Sequence, residues 1–442
     1  LAVQPGILAR VLVVAADDAA AGPLCQGLDA LGWRTVTARS VAAAAATLSD
    51  LPLEAAVIFA APGVHADVAS IKAAAQPRTL PLILVTEKPD PEDAEAADLV
   101  MSRTPHPAQA ALRLEQLGRA AISEEEFSLR RATFAAHGLA MSLNDAADAP
   151  LRVLAAGKPD HHFLALSNCL AAVGAEVIAA PTPYTAFDYL HESAFDAALL
   201  WGGEDHAPAL SIASGMKRNT RLFHIPLVLY LRGAGEINLS ELYNRGFADV
   251  AAADTPEEET ANRILALART HRRHQTLRRA LDGARSSSIM DETTGLFTRE
   301  LFASHLARVA EGARARKRPL SACVLRVAQT GPIALARTGG WLDRAMPQIG
   351  AMVGRLVRVE DTAARLAPEV FALALPATTG PAARLAAERI AAVIGCTAFD
   401  AGPDRAPFVV EFDVGVAELG DGEAPGGLLE RASADIRSQP RS

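Results

Sequence analysis

An order of apolar strand and helical stretch that runs once from residue 8 and again from residue 151 constrains this 442-residue chain more than any other feature. The first round reads "ARVLVVAADD" as a buried strand entering a turn, "PLCQGLDALGW" as a helix, "RTVTA" as a strand and "SVAAAAATLSD" as a helix. "EAAVIFAAPG" and "LPLILVTE" follow as strands, and "PEDAEAADLVMSRTPHP" closes the round. Short apolar runs alternating with helical periods predict parallel strands, because a parallel pair needs a crossover and its strands are buried on both faces. The second round gives "LRVLAAGKPD", "LSNCLAAVGA", "EVIAA", "TAFDYLHES", "FDAALLWGG", "IPLVLYLRG" and "GFADVAAADTP" in the same order. A tandem duplication of an α/β unit is the expectation.

The predicted layout is a first repeat over 8–122, a linker over 123–150, a second repeat over 151–256, a connecting helix over 257–290 and a third domain over 291–442. "AISEEEFSLRRATFAAHG" reads as a polar helix or linker. "PEEETANRILALARTHRRHQTLRRALDGAR" starts with Pro and acids and ends basic with Gly, the charge order a helix dipole favours. Half the residues are apolar, and the formal charge of -8 argues against bulk binding of nucleic acid through phosphates. No apolar run reaches the ~18 residues a membrane span needs, and "LAVQPGILAR" lacks the layout of a signal peptide. Cys25, Cys169, Cys323 and Cys396 have no metal-ligand spacing and suit a reducing cytoplasm. Lysine is confined to Lys72, Lys88, Lys158, Lys217 and Lys317.

Each repeat resembles the receiver domains of response regulators, a flavodoxin-like fold. The resemblance implies acids after strand one that hold Mg²⁺, a phosphoacceptor aspartate after strand three, a Thr or Ser after strand four and a Lys after strand five. The first repeat has Ala15 and Ala16 where the acids begin, Asp17 and Asp18 beyond them, and Ile58 or Phe59 at the acceptor position. It keeps Thr86 but has no lysine in "SRTP". The second has Gly157 and Lys158 for the acids, Trp201 for the acceptor and Leu231 for the threonine. Aliphatic and aromatic side chains cannot be phosphorylated, so no phosphorylation is expected. Asp17 and Asp18 read as a helix cap and a first-turn acid rather than as metal ligands.

"DETTGLFTRELFASHL" resembles the opening of GGDEF domains, the diguanylate cyclases, through Asp291, Thr294, Gly295, Leu296, Arg299 and Phe302, while Thr293, Thr298 and Glu300 depart. The implied domain is α+β and covers 291–442, giving the receiver–receiver–GGDEF layout of the PleD group. Such a cyclase aligns two GTP molecules with metal-bound carboxylates. Here Arg326 and Ala328 stand where a strand-end acid pair belongs, and the signature turn reads Ala367, Pro368, Glu369, Val370, Phe371. Pro368 fixes φ and removes an N–H that a phosphate cradle needs. "LLERASADIRSQPRS" lacks the lysine usual near the C-terminus. No metal site, no catalytic residue and no bound cofactor are expected.

The resemblance also implies a product-binding R-x-x-D five residues ahead of that turn. Arg358 and Asp361 fall there, and Arg389 matches a second arginine on the following helix. A guanidinium fork suits the O6/N7 edge of guanine, and a carboxylate accepts from N1–H and N2–H₂. The motif also recurs at Arg279 and Asp282, where an exposed i,i+3 pair is the plainer reading. The basic run "GARARKRP" at 312–319 reads as a solvated loop.

The expected function is a non-catalytic cyclic di-GMP effector, with the repeats serving as assembly surfaces for a homodimer. The pattern of losses resembles that of alphaproteobacterial cell-cycle adaptors in this group. It implies recruitment to a cell pole and delivery of CtrA, through RcdA, to the ClpXP protease. A weak diguanylate cyclase and a ligand-independent scaffold are the alternatives. A DNA-binding output module is not expected, since no helix-turn-helix segment is left over.

Overall fold

The computed structural model describes residues 10–61, 64–141, 143, 149–202, 206–232, 238–285, 287–402 and 405–438. The chain divides into two compact units, one of residues 1–121 and 145–276, the other of 122–144 and 277–442.

The first unit contains both repeats. The first runs β1 (Arg10–Val14), α1 (Asp18–Ala30), β2 (Arg34–Ala38), α2 (Val41–Asp50), β3 (Ala55–Phe59), α3 (Val68–Ala74), β4 (Leu82–Val85), α4 (Pro91–Ala96), β5 (Leu99–Met101) and α5 (Pro107–Ala136). Its five strands are parallel in the order β2-β1-β3-β4-β5. The second runs β6 (Leu151–Ala156), α6 (His161–Ala172), β7 (Ala175–Ala180), α7 (Pro183–Glu192), β8 (Ala197–Gly202), α8 (Ala207–Arg218), β9 (Leu227–Leu231), α9 (Leu239–Asn244), β10 (Asp249–Ala252) and α10 (Glu257–Ala284). Its order, β7-β6-β8-β9-β10, is the same. Both sheets have the flavodoxin-like arrangement. The central strands are buried on both faces, from Val11 to Val14 and from Leu227 to Leu231. Each such Val or Leu contributes about 1.5–3 kcal/mol of apolar burial.

The two repeats meet within this unit through equivalent helix positions. Gln109 and Glu259, like Arg113 and Arg263, lie 150 residues apart. Buried Asp249 accepts from Gln109 Nε2 at 2.6 Å and from Arg263 Nε at 2.9 Å. Arg113 donates to the Arg263 carbonyl at 3.2 Å, and Glu259 accepts from the Ser102 N–H at 3.1 Å. The duplication thus forms a pseudo-symmetric pair inside one chain.

The second unit opens with residues 122–136 of α5 and 277–284 of α10. It continues through α11 (Arg299–Ala315), β11 (Leu320–Val327), α12 (Gly331–Thr338), α13 (Trp341–Leu356), β12 (Thr362–Ala367), β13 (Val370–Pro376), α14 (Gly380–Gly395), β14 (Phe412–Glu418) and α15 (Pro425–Ser438). The sheet is antiparallel, in the order β12-β13-β11-β14. β11 alternates faces as the pleat requires. Cys323, Leu325 and Val327 join a core with Ile349 and Phe371, and Ala322 and Val324 join one with Phe302 and Leu306.

The segment predicted to open a linker at 123 is helical to residue 136. It buries Ser123, Glu126, Phe127, Arg130, Thr133 and Phe134 on one face. The three- and four-residue spacing is that of a docked helix, obscured in the sequence because four of those six residues are polar.

Candidate functional site

β12 of the second unit is flanked by two turns, and each predicted site residue of the domain except Arg389 belongs to one of them or faces it. Ahead of β12, α13 ends at Leu356 and the chain turns through Arg358–Asp361. The Asp361 N–H donates to the Arg358 carbonyl at 3.2 Å, and the Arg358 N–H donates to Asp361 Oδ2 at 2.9 Å. The aspartate closes its own turn, as Asx residues do.

Asp361 is 8% exposed. Burial pushes its carboxyl up to about 7, and Glu360 beside it adds to the rise; the Arg358 N–H and the Arg358 and Arg130 guanidiniums oppose it. The Arg358 side chain is exposed. From α5, buried Arg130 donates to the carbonyls of Val359 and Asp361, both at 2.7 Å, and to Thr362 Oγ1 at 3.1 Å. Ser123 donates to Glu360 Oε2 at 3.2 Å.

Behind Arg130 lies a second buried set. Glu126 meets His305 Nε2 at 2.6 Å and Arg130 Nε at 3.5 Å, and Thr133 Oγ1 lies 3.1 Å from His305 Nδ1. Burial raises the Glu126 carboxyl, but His305, Arg130 and Arg316 together hold it below the ordinary range.

Arg358 and Asp361 line a cleft with about 570 Å³ of open space, together with Arg130, Arg278, Asp282 and Arg285. Arg389 is exposed on α14 and does not line it. In the other R-x-x-D, Asp282 pairs with Arg285 at 3.1 Å while Arg279 stays exposed. Sequence reasoning missed Arg130, Arg278 and Arg285 as neighbours of the motif. For Arg278 and Arg285 the available signal was that the predicted connecting helix carries arginines on several faces; Arg130 lay in the predicted linker.

After β12 comes the hairpin turn. Ala367 and Pro368 are exposed, and the Pro368 carbonyl accepts from Arg365 Nη2 at 3.0 Å. The two oxygens of Glu369 accept from Arg337 Nε at 2.6 Å and Nη2 at 2.7 Å. Arg326 pairs with Asp413 on the neighbouring strand at 2.9 Å. Asp291 of the opening signature accepts from Thr294 Oγ1 at 2.6 Å and lies 3.3 Å from Arg365. Gly295, at φ 65°, allows the tight turn that follows.

The run at 312–319 is not a solvated loop. Arg316 and Arg318 reach Glu125 at 3.2 and 2.6 Å, and Arg314 donates to the Glu423 carbonyl. Glu125 of α5 holds Arg316 and Arg318. In the C-terminal stretch, residues 439–442 lie outside the described residues.

In the first unit Asp17 caps α1, accepting from the Ala19 N–H at 2.9 Å, and Asp18 pairs with Arg39. Ile58 is buried, and Thr86 is buried with a hydroxyl that has no hydrogen-bond partner among the described residues. Trp201 stacks on Tyr230 with centroids 4.0 Å apart and donates to Asp160 at 3.4 Å. An added Cβ on Gly157 would lie 2.5 Å from the Trp201 Cβ, so the chain at Gly157 approaches Trp201 closely at the end of β8. Lys158 is exposed and Leu231 buried. His65, Asp90 and Asp93 bring three donor atoms within 4.8 Å. Both carboxylates serve as caps, however: Asp93 accepts from the Ala66 and Val68 N–H groups and Asp90 from that of Glu92.

The second unit is thus an antiparallel α+β domain with the opening signature and the hairpin in place. Residues 288–439 match the family model "Diguanylate cyclase, GGDEF domain". No curated protein matches the chain. Among solved structures, the GGDEF domain of FimX from Pseudomonas aeruginosa is 21% identical over 34% of this chain and 93% of that one, with a TM-score of 0.31. The GGDEF domain of DgcB from Caulobacter crescentus, solved in complex with c-di-GMP, is 21% identical over 34% and 87%, with a TM-score of 0.32. Diguanylate cyclase SiaD from Pseudomonas aeruginosa, solved with its activator SiaC, is 25% identical over 45% and 71%, also at 0.32. No helix among the described residues is long and apolar enough to cross a membrane.

Proposed function

We propose that this chain is a non-catalytic receptor for cyclic di-GMP that binds the ligand at the Arg358–Asp361 turn. The observation that carries the reading is the state of that turn. Its aspartate is fixed by the Arg358 N–H, its arginine is exposed, and both face one open cleft. A guanine edge presented there meets a donor fork and an acceptor at once. Arg389 would join only from a second ligand or a neighbouring surface, since it does not line the cleft.

The cyclase reading has less support. A GGDEF cyclase uses Mg²⁺ held by carboxylates, and the residues present do not fit that ion. Arg326 occupies a ligand position and is paired with Asp413, and both oxygens of Glu369 are taken by Arg337.

In the two repeats, caps, aliphatic side chains and the packed Trp201 occupy the positions of receiver chemistry. We read them as degenerate receiver domains, and the layout as one domain after another over 8–122, 151–256 and 291–442. This combination resembles the cell-cycle adaptor PopA. On that resemblance, ligand binding would govern recruitment to a cell pole and hand-over of CtrA, through RcdA, to ClpXP, with the protein acting as a homodimer.

The test is calorimetric titration of the full chain with cyclic di-GMP, repeated on Arg358→Gly. Saturable binding by the wild type and none by the variant is expected; equal affinity in both discards the assignment. Incubation with GTP and Mg²⁺ should yield no cyclic dinucleotide by chromatography, and a product peak would restore the cyclase reading.

A further inference from the structure

We infer that Arg130 is a positioning residue of the Arg358–Asp361 site, so that helical segment 122–136 is part of the ligand-binding apparatus. The inference rests on the ligand reading above and names how that site is held.

A four-residue turn between a helix and an edge strand has few internal bonds. This one has two, and two further bonds to its backbone come from one guanidinium. Arg130 satisfies two carbonyls of the turn and the first side chain of β12. It is 3% exposed, and its loss leaves two carbonyls and the Thr362 hydroxyl without that donor. The fork's rigid plane fixes the spacing of the Val359 and Asp361 carbonyls. That spacing sets the direction in which the Asp361 carboxyl and the Arg358 side chain leave the backbone. Ser123, two helical turns earlier, holds Glu360 from the same helix. The segment therefore grips three of the turn's four residues, or their backbone, while leaving Arg358 free to meet a ligand.

Arg130 also brings a positive charge to a carboxyl that a guanine must find ionised. The charged groups around Asp361 are Glu360 and Arg358 in the turn and Arg130 on α5. On β11, Cys323 lies close, its thiol pushed up to about 12 by burial and by Asp361, so it stays neutral; Arg384 of α14 acts on the same thiol. Glu126 partly offsets Arg130 from behind. Removing the Arg130 charge leaves Asp361 harder to ionise. A residue that served only packing would not have this effect.

Ligand binding and docking of the segment are then reciprocal: what favours one favours the other by the same factor. The experiment uses the full chain and cyclic di-GMP. Calorimetric titrations between about pH 5.5 and 8.5 are run on wild type, Arg130→Met, Arg130→Lys and Arg358→Gly, with hydrogen exchange of residues 122–136 in wild type with and without ligand. Arg130→Met should weaken binding about tenfold or more and move the pH midpoint of binding upward. Arg130→Lys should weaken it less and keep the midpoint. Ligand should slow exchange across 122–136. If the methionine variant does not fold, the lysine variant and the exchange data decide. Wild-type affinity and midpoint in the folded Arg130 variants, or an exchange pattern indifferent to bound ligand, overturns the inference while leaving the ligand site intact. A wild type that never binds refutes the ligand reading itself.

Discussion

The two turns that bracket β12 are six residues of strand apart and differ in almost every physical respect. The one before the strand is held from inside: Arg130 donates two hydrogen bonds to it and a third to Thr362 of β12, Glu126 and His305 back that arginine, and Asp361 is 8% exposed. The one after the strand is closed from outside by the half-exposed pair of Glu369 and Arg337, with Pro368 facing solvent. Buried charges that lose a partner are costly, whereas exposed ion pairs contribute little. A substitution in the first turn's support is therefore felt throughout the domain. The second turn, Ala367-Pro368-Glu369, has no such buried support among the described residues.

The sharpest way to break this comparison is to remove Glu126. Glu126→Ala leaves Arg130 with a weaker partner set and takes away the carboxylate that His305 Nε2 meets, and should cost about 3–5 kcal/mol, as breaking buried pairs does. Glu126→Gln keeps an acceptor and should cost less. Thermal denaturation of the full chain reads the loss as a lower Tm for the second unit. Wild-type Tm for the alanine variant would mean that the buried set does not support the turn.

Arg358→Gly should separate binding from stability. Its guanidinium makes no hydrogen bond among the described residues, and its N–H, which anchors Asp361, survives the change. Affinity for cyclic di-GMP should fall about a hundredfold, the loss expected of a bidentate guanine contact, with Tm unmoved. A large Tm loss would place Arg358 in the structural network instead.

How much of this was legible in the sequence follows from where partners sit along the chain. Both parallel sheets were readable because their strands are buried on two faces, so runs such as Leu12–Val14 and Leu227–Leu231 are continuously apolar. The motif at Arg358 and Asp361 was readable because its bonds are local and its distance to the hairpin is fixed. The support was not readable. Glu126 and His305 are 179 residues apart, and Arg130 and Thr362 are 232 apart. A buried helix face built of Ser123, Glu126, Arg130 and Thr133 looks like a solvated one until its partners are known. The same blindness made the 312–319 run read as free, when Glu125 holds Arg316 and Arg318.

The pH response sharpens the contrast further. Asp361 is raised from an ordinary carboxyl to about 7, first by burial and then by Glu360, against the Arg358 N–H and the charges of Arg358 and Arg130. Neighbouring Cys323 does not ionise in this range. The folded state therefore prefers the protonated acid. The contribution of this group to stability is fully present below about pH 4 and is lost as the pH rises through about 7. Ligand affinity runs the other way, because guanine donates to the carboxylate, and should climb through about pH 7. Asp361→Asn should flatten the stability dependence and abolish the climb in affinity. Titrations showing constant affinity across the range would mean that the carboxylate is not the guanine acceptor.

The smallest effect is expected at the second turn, and it completes the comparison. Arg337 lowers the Glu369 carboxyl from outside, first through its hydrogen bonds and against a modest burial. A pair this exposed is screened by water and salt. Arg337→Ala and Glu369→Gln should each leave Tm within about 2 °C of wild type and leave ligand affinity and its pH midpoint unchanged. Arg337→Ala also uncovers the one acid of the hairpin turn. On the proposed non-catalytic reading, freeing Glu369 should yield no cyclic dinucleotide from GTP and Mg²⁺. Product formed by that variant alone would mean that the Arg337–Glu369 pair masks a site that still works, and the two turns would no longer stand on opposite sides of function.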